Sequence, residues 1–485
     1  MNAPLRRVAI AVFVLFGLLF ANLNYVQVVK GDEYRNDTRN ERVRISSYQN
    51  PRGLILVEGQ PIAQSVATDG RYKYQRQYPA ATAKLYSHVT GYQSMIYGNT
   101  GVEAAEEPDL SGQSDKLFVR RITDMLTGRK SQGANAILTL DKEVQQATGD
   151  AMDGLKGAAI SLDPKTGAIL SLVSNPTFDP NPFASHSDGP QQSTMKELRA
   201  DTDQPLLDRA LNQTYPPGST FKVIMSTALI EDKGLKADTV VAAPDQYKPP
   251  QTTKVIQNFE GESCGDGVSV TLLYALEKSC NTVFAKLGVE KVGADEIKKT
   301  AKAFGFGKTV NVPLTDAASQ TGDIPDDPAV AQSSIGQRDV RMTPLQGAMI
   351  AAAVANNGEL MTPYLVDKVE AADYTTLSTT QPKRYSTPMS SSTAGELQKM
   401  MKAVVDDGTG KKAQIDGVDV GGKTGTAEDG DERQDHDWFI GYSIVDGQPV
   451  AAVAVVLENA GKSSSSAAAI AGTIMKSIIA QKTNR

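Results

Sequence analysis

A serine and a lysine three positions apart stand where a turn leads into an apolar segment. A Pro-Pro-Gly turn precedes Ser219, and Lys222 is the only charged residue in the apolar run that ends at Ile230. These signals predict that Ser219 lies in the first turn of a buried helix that runs to about Lys233. Burial favours the neutral amine of a lysine, and the i+3 spacing places that amine on the same face as the hydroxyl. The pair predicts a serine nucleophile with Lys222 as its general base, and the serine N–H as an oxyanion donor.

The spacing alone is not specific, because the chain contains it twice. Ser193 and Lys196 repeat it in the polar stretch 185–203, where no turn precedes the serine and no apolar helix follows it. We interpret this second match as accidental. For Lys222 the alternative is a structural role, in which its ammonium pairs with a core carboxylate.

A second motif follows sixty residues after Ser219. Ser279 and Asn281 come after a predicted helix at 270–278, so a hydroxyl and a carboxamide stand on a loop between helices. The hydroxyl can pass a proton, and the amide can both donate to and accept from a peptide backbone. A helix cap is the alternative explanation of this pair.

The third motif is a glycine-rich strand, 204 residues after Ser219. Lys423 offers a positive charge for a carboxylate, Thr424 and Thr426 offer hydroxyls, and the N–H of Thr426 is a candidate second oxyanion donor. The glycines of this segment remove side chains from the strand; they are Gly421, Gly422 and Gly425. We therefore predict that another peptide pairs with its edge as an added strand.

The elements that must position these motifs come from both ends of the larger part of the chain. A β-hairpin is predicted around 163–167, and a helix is predicted at 463–481. The predicted strands are 158–162, 168–173, 418–427, 438–445 and 449–458. If these strands share one antiparallel sheet with the helical middle packed on it, the fold class is α+β.

The N-terminal region contains an uncharged segment. No residue from Val8 to Val29 is charged, and a helix of this length spans about 33 Å, close to the hydrocarbon thickness of a bilayer. Arg6 and Arg7 precede it, so the positive-inside tendency predicts a cytoplasmic N-terminus and an extracytoplasmic location for the bulk of the chain. A cleaved secretory signal is the alternative, but no pair of small residues suited to cleavage stands near Ala21. Because no second apolar run of this length exists, we expect a single crossing.

The rest of the sequence divides into two parts. Residues 31–133 are polar and rich in turns, with short alternating stretches at 43–45, 53–57 and 71–78 and a helix near 116–126, which predicts a small β-rich domain. From residue 134 onward the pattern is that of a larger mixed domain. We therefore expect an anchor at 1–30, a small domain at 31–133 and a large domain at 134–485.

Composition narrows the function classes further. The 485 residues include 50 basic and 56 acidic ones, so the net charge of −6 and the pI of 5.4 argue against nucleic-acid binding. Two cysteines and three histidines leave little material for a metal site, and we expect neither metal nor cofactor. The acid-rich segment 428–437 is interpreted as a solvated turn.

Outside the cytosol Cys264 and Cys280 are a plausible disulfide, which would contribute about 3 kcal/mol to stability. Two free buried thiols are the alternative.

Taken together, the motifs resemble those of a known group of proteins. The order Ser219-x-x-Lys222, then Ser279-x-Asn281, then Lys423-Thr424-Gly425 is similar to the signature of penicillin-binding proteins and serine β-lactamases. Within this group the chain resembles the monofunctional class B penicillin-binding proteins, of the short actinobacterial kind called penicillin-binding protein A. Further family segments are matched by 51–53, 138–141, 408–410 and 438–441. Residues 31–133 are too few for the glycosyltransferase domain of bifunctional members.

This resemblance implies a fold and a reaction. The fold would be a pedestal domain followed by a transpeptidase domain with a five-stranded antiparallel sheet covered by helices. The reaction would be D,D-transpeptidation of peptidoglycan in cell-wall synthesis, during division or growth. Ser219 would attack the donor stem peptide between its two terminal D-alanines, and an acceptor amine would resolve the acyl-enzyme into a crosslink. β-Lactams are expected to acylate the same serine.

The resemblance also implies roles and partners. Lys222 would take the serine proton, Ser279 would relay a proton to the leaving amine, and Asn281 would orient the donor amide. Substrate would also be bound by Lys423, Thr424, Gly425 and Thr426. The expected partners are stem peptides, β-lactams, the cell membrane and proteins of a division or elongation complex.

Three other functions remain open at this point. A serine β-lactamase shares the motifs but needs a group that activates water, and we interpret the nearby Glu428 as the end of a strand instead. A D,D-carboxypeptidase shares the first half-reaction, and the motifs do not separate it from a transpeptidase. A non-catalytic penicillin-fold scaffold is disfavoured because every motif residue is present.

Overall fold

An exposed apolar helix begins the computed structural model, which describes residues 3–31, 34, 48–128, 132–314, 316–427, 435–460 and 466–483. The helix α1 (Ala3–Asn24) continues as a π-helical segment to Val29, and none of its residues is buried. The most apolar stretch of 18 residues in this combined helix has a mean hydropathy of 2.1. Within the described ranges it is the one helix long and apolar enough to cross a membrane, in agreement with the predicted anchor.

Short strands and helices form the N-terminal segment, residues 48–128. In chain order they are β1 (Ile55–Val57), β2 (Gln60–Ala67), β3 (Tyr74–Gln77), α2 (Ser87–Thr90), β4 (Gln93–Ser94), β5 (Gly98–Asn99), α3 (Gly101–Ala105), α4 (Glu107–Leu110) and α5 (Phe118–Thr127). The strands predicted at 53–57 and 71–78 correspond to β1 and β3, and the helix predicted near 116–126 corresponds to α5. The stretch predicted at 43–45 lies outside the described residues.

Longer elements form the C-terminal segment, residues 132–483. Its strands are β6 (Asn135–Leu138), β7 (Gly157–Leu162), β8 (Ile169–Asn175), β9 (Val240–Ala242), β10 (Gln246–Tyr247), β11 (Ile256–Gln257), β12 (Ser269–Thr271), β13 (Leu360–Met361), β14 (Val366–Glu370), β15 (Thr376–Thr379), β16 (Arg384–Ser386), β17 (Asp419–Ala427), β18 (His436–Val445) and β19 (Gln448–Leu457). Its helices are α6 (Lys142–Ala151), α7 (Asp188–Ala200), α8 (Lys222–Glu231), α9 (Leu272–Glu277), α10 (Asn281–Leu287), α11 (Gly293–Ala303), α12 (Asp327–Ser333), α13 (Pro344–Ala355), α14 (Ser391–Asp406) and α15 (Ala467–Thr483).

A five-stranded antiparallel sheet forms the centre of the C-terminal segment. Its strand order is β17-β18-β19-β7-β8, so strands from both ends of this segment lie side by side as predicted, and β17 occupies one edge. Alternate residues of β19 face opposite sides: Ala454 packs with α13, whose residues are all buried, and Val455 packs with α15. The sheet therefore has helices on both faces, and this covered sheet confirms the predicted α+β class.

A second, six-stranded sheet joins the two segments. Its order is β15-β14-β6-β1-β2-β3, and only the pairing of β1 with β6 is parallel. Because β6, β14 and β15 follow residue 133, the sheet continues across the boundary expected there.

The polar stretch 185–203 contains α7, a largely exposed helix. Ser193 lies on its exposed face, where its hydroxyl donates to the carbonyls of Gly189 and Pro190. One element differs from the sequence prediction: the helix predicted at 270–278 begins only at Leu272, since the residues before it form the short strand β12, which pairs with β9.

A buried ion network holds the N-terminal segment together. The carboxylate of Glu103 on α3 accepts from Arg52 Nε at 2.5 Å and from Arg76 on β3, and the side chains of Glu103 and Arg76 are fully buried. Burial would raise the pKa of Glu103, but the two guanidiniums lower it below its ordinary value. Glu107 also contacts Arg52, at 2.7 Å, and its side chain is 40% exposed.

We predict that Glu103→Gln destabilises the N-terminal segment by about 3 to 5 kcal/mol, because the buried guanidinium of Arg76 loses its counter-charge and that of Arg52 keeps only the partly exposed Glu107. The matched variant Glu107→Gln removes a partly exposed partner of the same arginine and should cost less than about 1 kcal/mol. Urea unfolding of both variants measures the two changes. Equal stabilities of the two variants would show that the network contributes nothing specific.

Candidate active site

The turn before Ser219 is fixed by backbone contacts on two sides. Tyr215 forms an antiparallel bridge with Met342, and the N–H of Gly218 donates to the carbonyl of Gly336 at 3.0 Å. Gly218 has a φ of 52°, and a Cβ there would lie 2.4 Å from the carbonyl oxygen of Thr426 on β17. A glycine is needed at this position for both reasons. The turn leads into a 3-10 helix at 218–221, which continues as α8.

Lys222 lies directly beside the serine hydroxyl. Its Nζ is 3.0 Å from Ser219 Oγ and fully buried, and it donates to Ser279 O and to Asn281 Oδ1, each at 2.7 Å. A neutral amine has two N–H groups for these two acceptors, which leaves its lone pair directed to the hydroxyl of Ser219. Within the described ranges, every acceptor at hydrogen-bonding distance from Nζ is a hydroxyl, an amide or a backbone oxygen, not the carboxylate of a structural ion pair.

Ser279 connects the two lysines of the site. It lies between α9 and α10 with a φ of 61°, an uncommon left-handed conformation for a serine. Its Oγ is 3.3 Å from Lys222 Nζ and 2.9 Å from Lys423 Nζ, so its hydroxyl can exchange hydrogen bonds with both amines. Asn281, at the start of α10, donates through Nδ2 to the carbonyl of Gln257 at 3.2 Å.

A disulfide borders this loop. The structure joins Cys264 to Cys280, the residue between Ser279 and Asn281, with the two Cα atoms 5.8 Å apart. Both cysteines are buried. The bridge covalently links the segment that follows β11 to the left-handed turn at Ser279. These two segments form one side of the cleft.

The glycines of the third motif have a different role from the one predicted. A Cβ at Gly421 would meet the ring of Tyr442, and a Cβ at Gly422 would meet the ring of Phe439. A Cβ at Gly425 would lie 2.7 Å from the carbonyl oxygen of Pro217. The glycines therefore make room for groups of this chain itself, two aromatic rings and the nucleophile turn. Access for another peptide comes instead from the position of β17 at the edge of the sheet.

Lys423 lies inside the site with a buried amine. Besides Ser279, its Nζ donates to the carbonyl of Thr424 at 3.0 Å. Burial lowers the pKa of Lys423 to about 7. Burial, together with the positive charge of Lys423, lowers the pKa of Lys222 well below its ordinary value. Burial and the neighbouring charge thus favour the neutral amine of Lys222.

One neighbour of the motifs was missed as a functional candidate. Thr409 follows α14, and its hydroxyl is hydrogen-bonded to that of Thr424. The sequence contains Gly408 and Gly410 around it, but nothing in that pattern indicates which strand the turn will meet. In the fold the turn lies against the backbone of Glu277, just before Ser279, and extends the row of hydroxyls along the cleft.

Trp438 lies on β18, the strand predicted to follow the Lys423 strand. Its buried indole N–H donates to the carbonyl of Pro216 at 3.1 Å. The prediction of a solvated turn at 428–437 is wrong for its last two residues. His436 and Asp437 belong to β18, and His436 is buried. Residues 428–434, with Glu428, lie outside the described residues.

A serine beside a buried lysine whose pKa is lowered, in a cleft bounded by an open sheet edge, is equipped for acyl transfer. The fold and this arrangement define a serine-type acyltransferase.

Comparisons with known proteins show which family of acyltransferases the chain belongs to. The model of the penicillin-binding protein transpeptidase domain matches residues 157–476, and that of the penicillin-binding protein A dimerisation domain matches residues 52–136. The chain is 43% identical to the peptidoglycan D,D-transpeptidase PbpA of Mycolicibacterium smegmatis over 99% of both chains. It is 40% identical to PbpA of Mycobacterium tuberculosis over 99% of this chain and 98% of that one.

Solved structures agree with these relatives. The ceftriaxone acyl-enzyme complex of M. tuberculosis penicillin-binding protein A has a TM-score of 0.85 at 38% identity, over 90% of this chain and 100% of that one. A D,D-transpeptidase domain from Eggerthella lenta has a TM-score of 0.77 at 33% identity, over 90% of this chain and 100% of that one. The chain belongs to the penicillin-binding protein family, with a transpeptidase domain and a penicillin-binding protein A dimerisation domain.

We predict that opening the Cys264–Cys280 bridge slows acylation by penicillin about tenfold, because the turn that holds Ser279 against both lysines loses a covalent restraint. The measurement compares the acylation rate of the native protein with that of the reduced and alkylated protein, and with that of Cys264→Ser/Cys280→Ser. Alkylation reagent without reductant is the control. An unchanged rate in both open forms would contradict the prediction.

We also predict a bell-shaped pH profile for the second-order rate of acylation. As pH falls through the lowered pKa of Lys222, the base is protonated and the rate falls. As pH rises through about 7, Lys423 loses the charge that attracts a carboxylate, and the rate falls by about tenfold per pH unit. In Lys423→Arg the alkaline limb should move well above this range, since a guanidinium stays charged. An alkaline limb at the same pH in this variant would refute the assignment.

Proposed function

We propose that this protein is a membrane-anchored peptidoglycan D,D-transpeptidase whose acyl-enzyme forms on Ser219. The observation that carries this proposal is the 3.0 Å contact between Ser219 Oγ and the fully buried Nζ of Lys222, whose pKa is lowered by burial. A lysine whose lowered pKa favours the neutral amine can take the hydroxyl proton without a histidine.

In the acylation step, Ser219 Oγ attacks the carbonyl carbon of the bond between the two terminal D-alanines of a donor stem peptide. Lys222 takes the hydroxyl proton as the Oγ–C bond forms. Backbone N–H groups of Ser219 and Thr426 stabilise the oxyanion, which supports collapse to the ester. The C–N bond then breaks, and a proton passes from Lys222 through Ser279 to the leaving amine of D-alanine.

The open edge of β17 binds the donor. An extended peptide pairs with it as an added strand, and Asn281 orients the donor amide from the opposite wall. Lys423 attracts the terminal carboxylate, and the hydroxyls of Thr424 and Thr426 complete its binding site. Because Gly425 has no side chain, the strand also stays within contact of the turn that carries Ser219.

The second half-reaction returns the serine. An acceptor amine from a neighbouring stem attacks the ester carbonyl, and Lys222 takes one of its protons. The new amide bond forms as the Oγ–C bond breaks, and the proton from Lys222 restores the hydroxyl. A β-lactam enters by the same first step, but its opened ring stays attached and the ester persists. Penicillin-binding protein A of M. tuberculosis, at 38 to 39% identity in these structures, is known as acyl-enzyme complexes with ceftriaxone, imipenem and penicillin G, which supports this route.

The anchor and the domains fit the same activity. Arg6 and Arg7 would lie in the cytoplasm and the remaining chain outside the membrane, where peptidoglycan is made. The division into an anchor at 1–30, a pedestal at 31–133 and a transpeptidase domain at 134–485 is part of this proposal. We also propose that the protein works with other proteins of a division or elongation complex.

We predict that Ser219→Ala abolishes labelling by a fluorescent penicillin, because no other group forms the ester. Ser193→Ala, which removes the serine of the second, exposed match, should label like the wild type. Denaturing electrophoresis with in-gel fluorescence measures both. Persistent labelling of Ser219→Ala would overturn the central assignment.

Two measurements on the wild-type protein distinguish a transpeptidase from a β-lactamase and from a D,D-carboxypeptidase. We expect the wild-type label to persist for hours, because among the described residues no carboxylate contacts Ser219 or Lys222 to activate water for deacylation. With a pentapeptide donor and an added amine acceptor, mass spectrometry should find crosslinked product in excess over the tetrapeptide. Rapid loss of label would indicate a β-lactamase, and tetrapeptide alone would indicate a D,D-carboxypeptidase.

A further inference from the structure

Helix α5 presents an apolar face that the described chain does not cover. Phe118, Ile122, Met125 and Leu126 are 54%, 43%, 81% and 81% exposed. At helical spacing these four positions lie on one side, and the buried Asp124 lies on the other. Single exposed apolar residues are ordinary in a folded protein, but a contiguous stripe of large ones marks an interaction surface.

The base of α5 lies where the chain from the anchor enters the fold. The N–H of Gly133 donates to the carbonyl of Pro51, and the N–H of Gly53 donates to the carbonyl of Leu110. A Cβ at Gly112 would lie 3.2 Å from the carbonyl oxygen of Gln132. The excursion that carries α5 therefore leaves and rejoins the fold beside Pro51, close to the start of the N-terminal segment.

The segment that carries α5 is opposite in net charge to the whole chain. Residues 115–130 contain five basic and two acidic residues, whereas the chain as a whole carries −6. Two of the basic residues, Lys116 and Arg120, also pair with Asp109 and Asp373. Basic residues beside an apolar helical face are typical of helices that lie in the interface of a membrane with anionic lipids. A soluble partner protein would not by itself require this combination at the membrane-tethered end of the fold.

We propose that α5 lies in the headgroup region of the membrane that holds α1, with its apolar face inserted at the acyl boundary. This inference rests on the proposed anchoring of α1. Tyr48 is eighteen residues beyond Lys30, and a chain of this length reaches up to about 60 Å. The connection alone therefore does not set the height of the catalytic cleft above the membrane. A second attachment through α5 fixes that height and the orientation of the N-terminal segment.

A second copy of the chain is a weaker candidate for this face. A stable protein interface uses roughly 20 to 30 residues from each side, and α5 offers four large side chains from one short helix. The membrane needs no such area, because α1 already holds the protein at its surface and the helix has only to dip into the interface.

The test uses the full chain in lipid nanodiscs that contain anionic lipid. The two native cysteines form a disulfide, so one introduced cysteine can be labelled alone. Met125→Cys carries an environment-sensitive fluorophore on the apolar face, and Thr127→Cys carries it on the opposite face of the same helix as the matched control. We expect lipids with a spin label near the headgroup to quench the Met125 probe at least about twofold more strongly than the Thr127 probe.

Each remaining outcome decides the inference. Equal quenching of the two probes would overturn it, as would quenching or a blue shift that occurs only in discs holding two copies of the chain. Adding Ile122→Glu and Leu126→Glu to the Met125 probe should remove the difference while labelling of Ser219 by penicillin stays normal. A chain that fails to enter nanodiscs at all would reject the anchor itself, which is seen before any fluorescence is measured.

Discussion

The amine of Lys222 has to be held without water beside the hydroxyl of Ser219, and much of the C-terminal segment serves this condition. A lysine in water is protonated at neutral pH and cannot accept a proton. Here α8 is buried along nearly its whole length, and the acceptors around Nζ are neutral oxygens that do not stabilise an ammonium as a carboxylate would. The charge of Lys423 adds to this effect. Burying two amines in one site costs free energy, and the lowered pKa values that result are part of the mechanism.

Close backbone packing keeps that site assembled. The nucleophile turn touches β17 at two places where a side chain would not fit, Gly218 and Gly425, and it touches the turn at Gly336. Trp438 adds a hydrogen bond from β18 to the same turn. On the other wall, the left-handed Ser279 is flanked by a disulfide. Interiors of this density do not deform gradually, so the distances among the reacting groups are defined by the fold and not by the side chains alone.

Much of the fold followed from local patterns, and the errors have specific causes. The strands of the central sheet and α5 were predicted because their alternation or periodicity reflects which face is buried. The role of the strand glycines was wrong, since a missing side chain leaves space without indicating what fills it, and here the filler is Tyr442, Phe439 and Pro217. Thr409 was missed because its partner Thr424 lies on a strand that only the assembled sheet brings near.

The sequence by itself determined the chemical groups, their order and the apolar helix that buries Lys222, because residue type and local periodicity depend on neighbours in the chain. It also separated Ser219 from Ser193, since only one of them precedes an apolar helix. Only the tertiary structure decided that Ser279 lies within hydrogen-bonding distance of both lysines and that β17 is an edge strand. The contacts of Ser279 join residues 57 and 144 positions apart, and the sheet that leaves β17 at its edge pairs strands from both ends of the C-terminal segment. Such contacts are chosen by the packing of whole elements, and no local pattern records them.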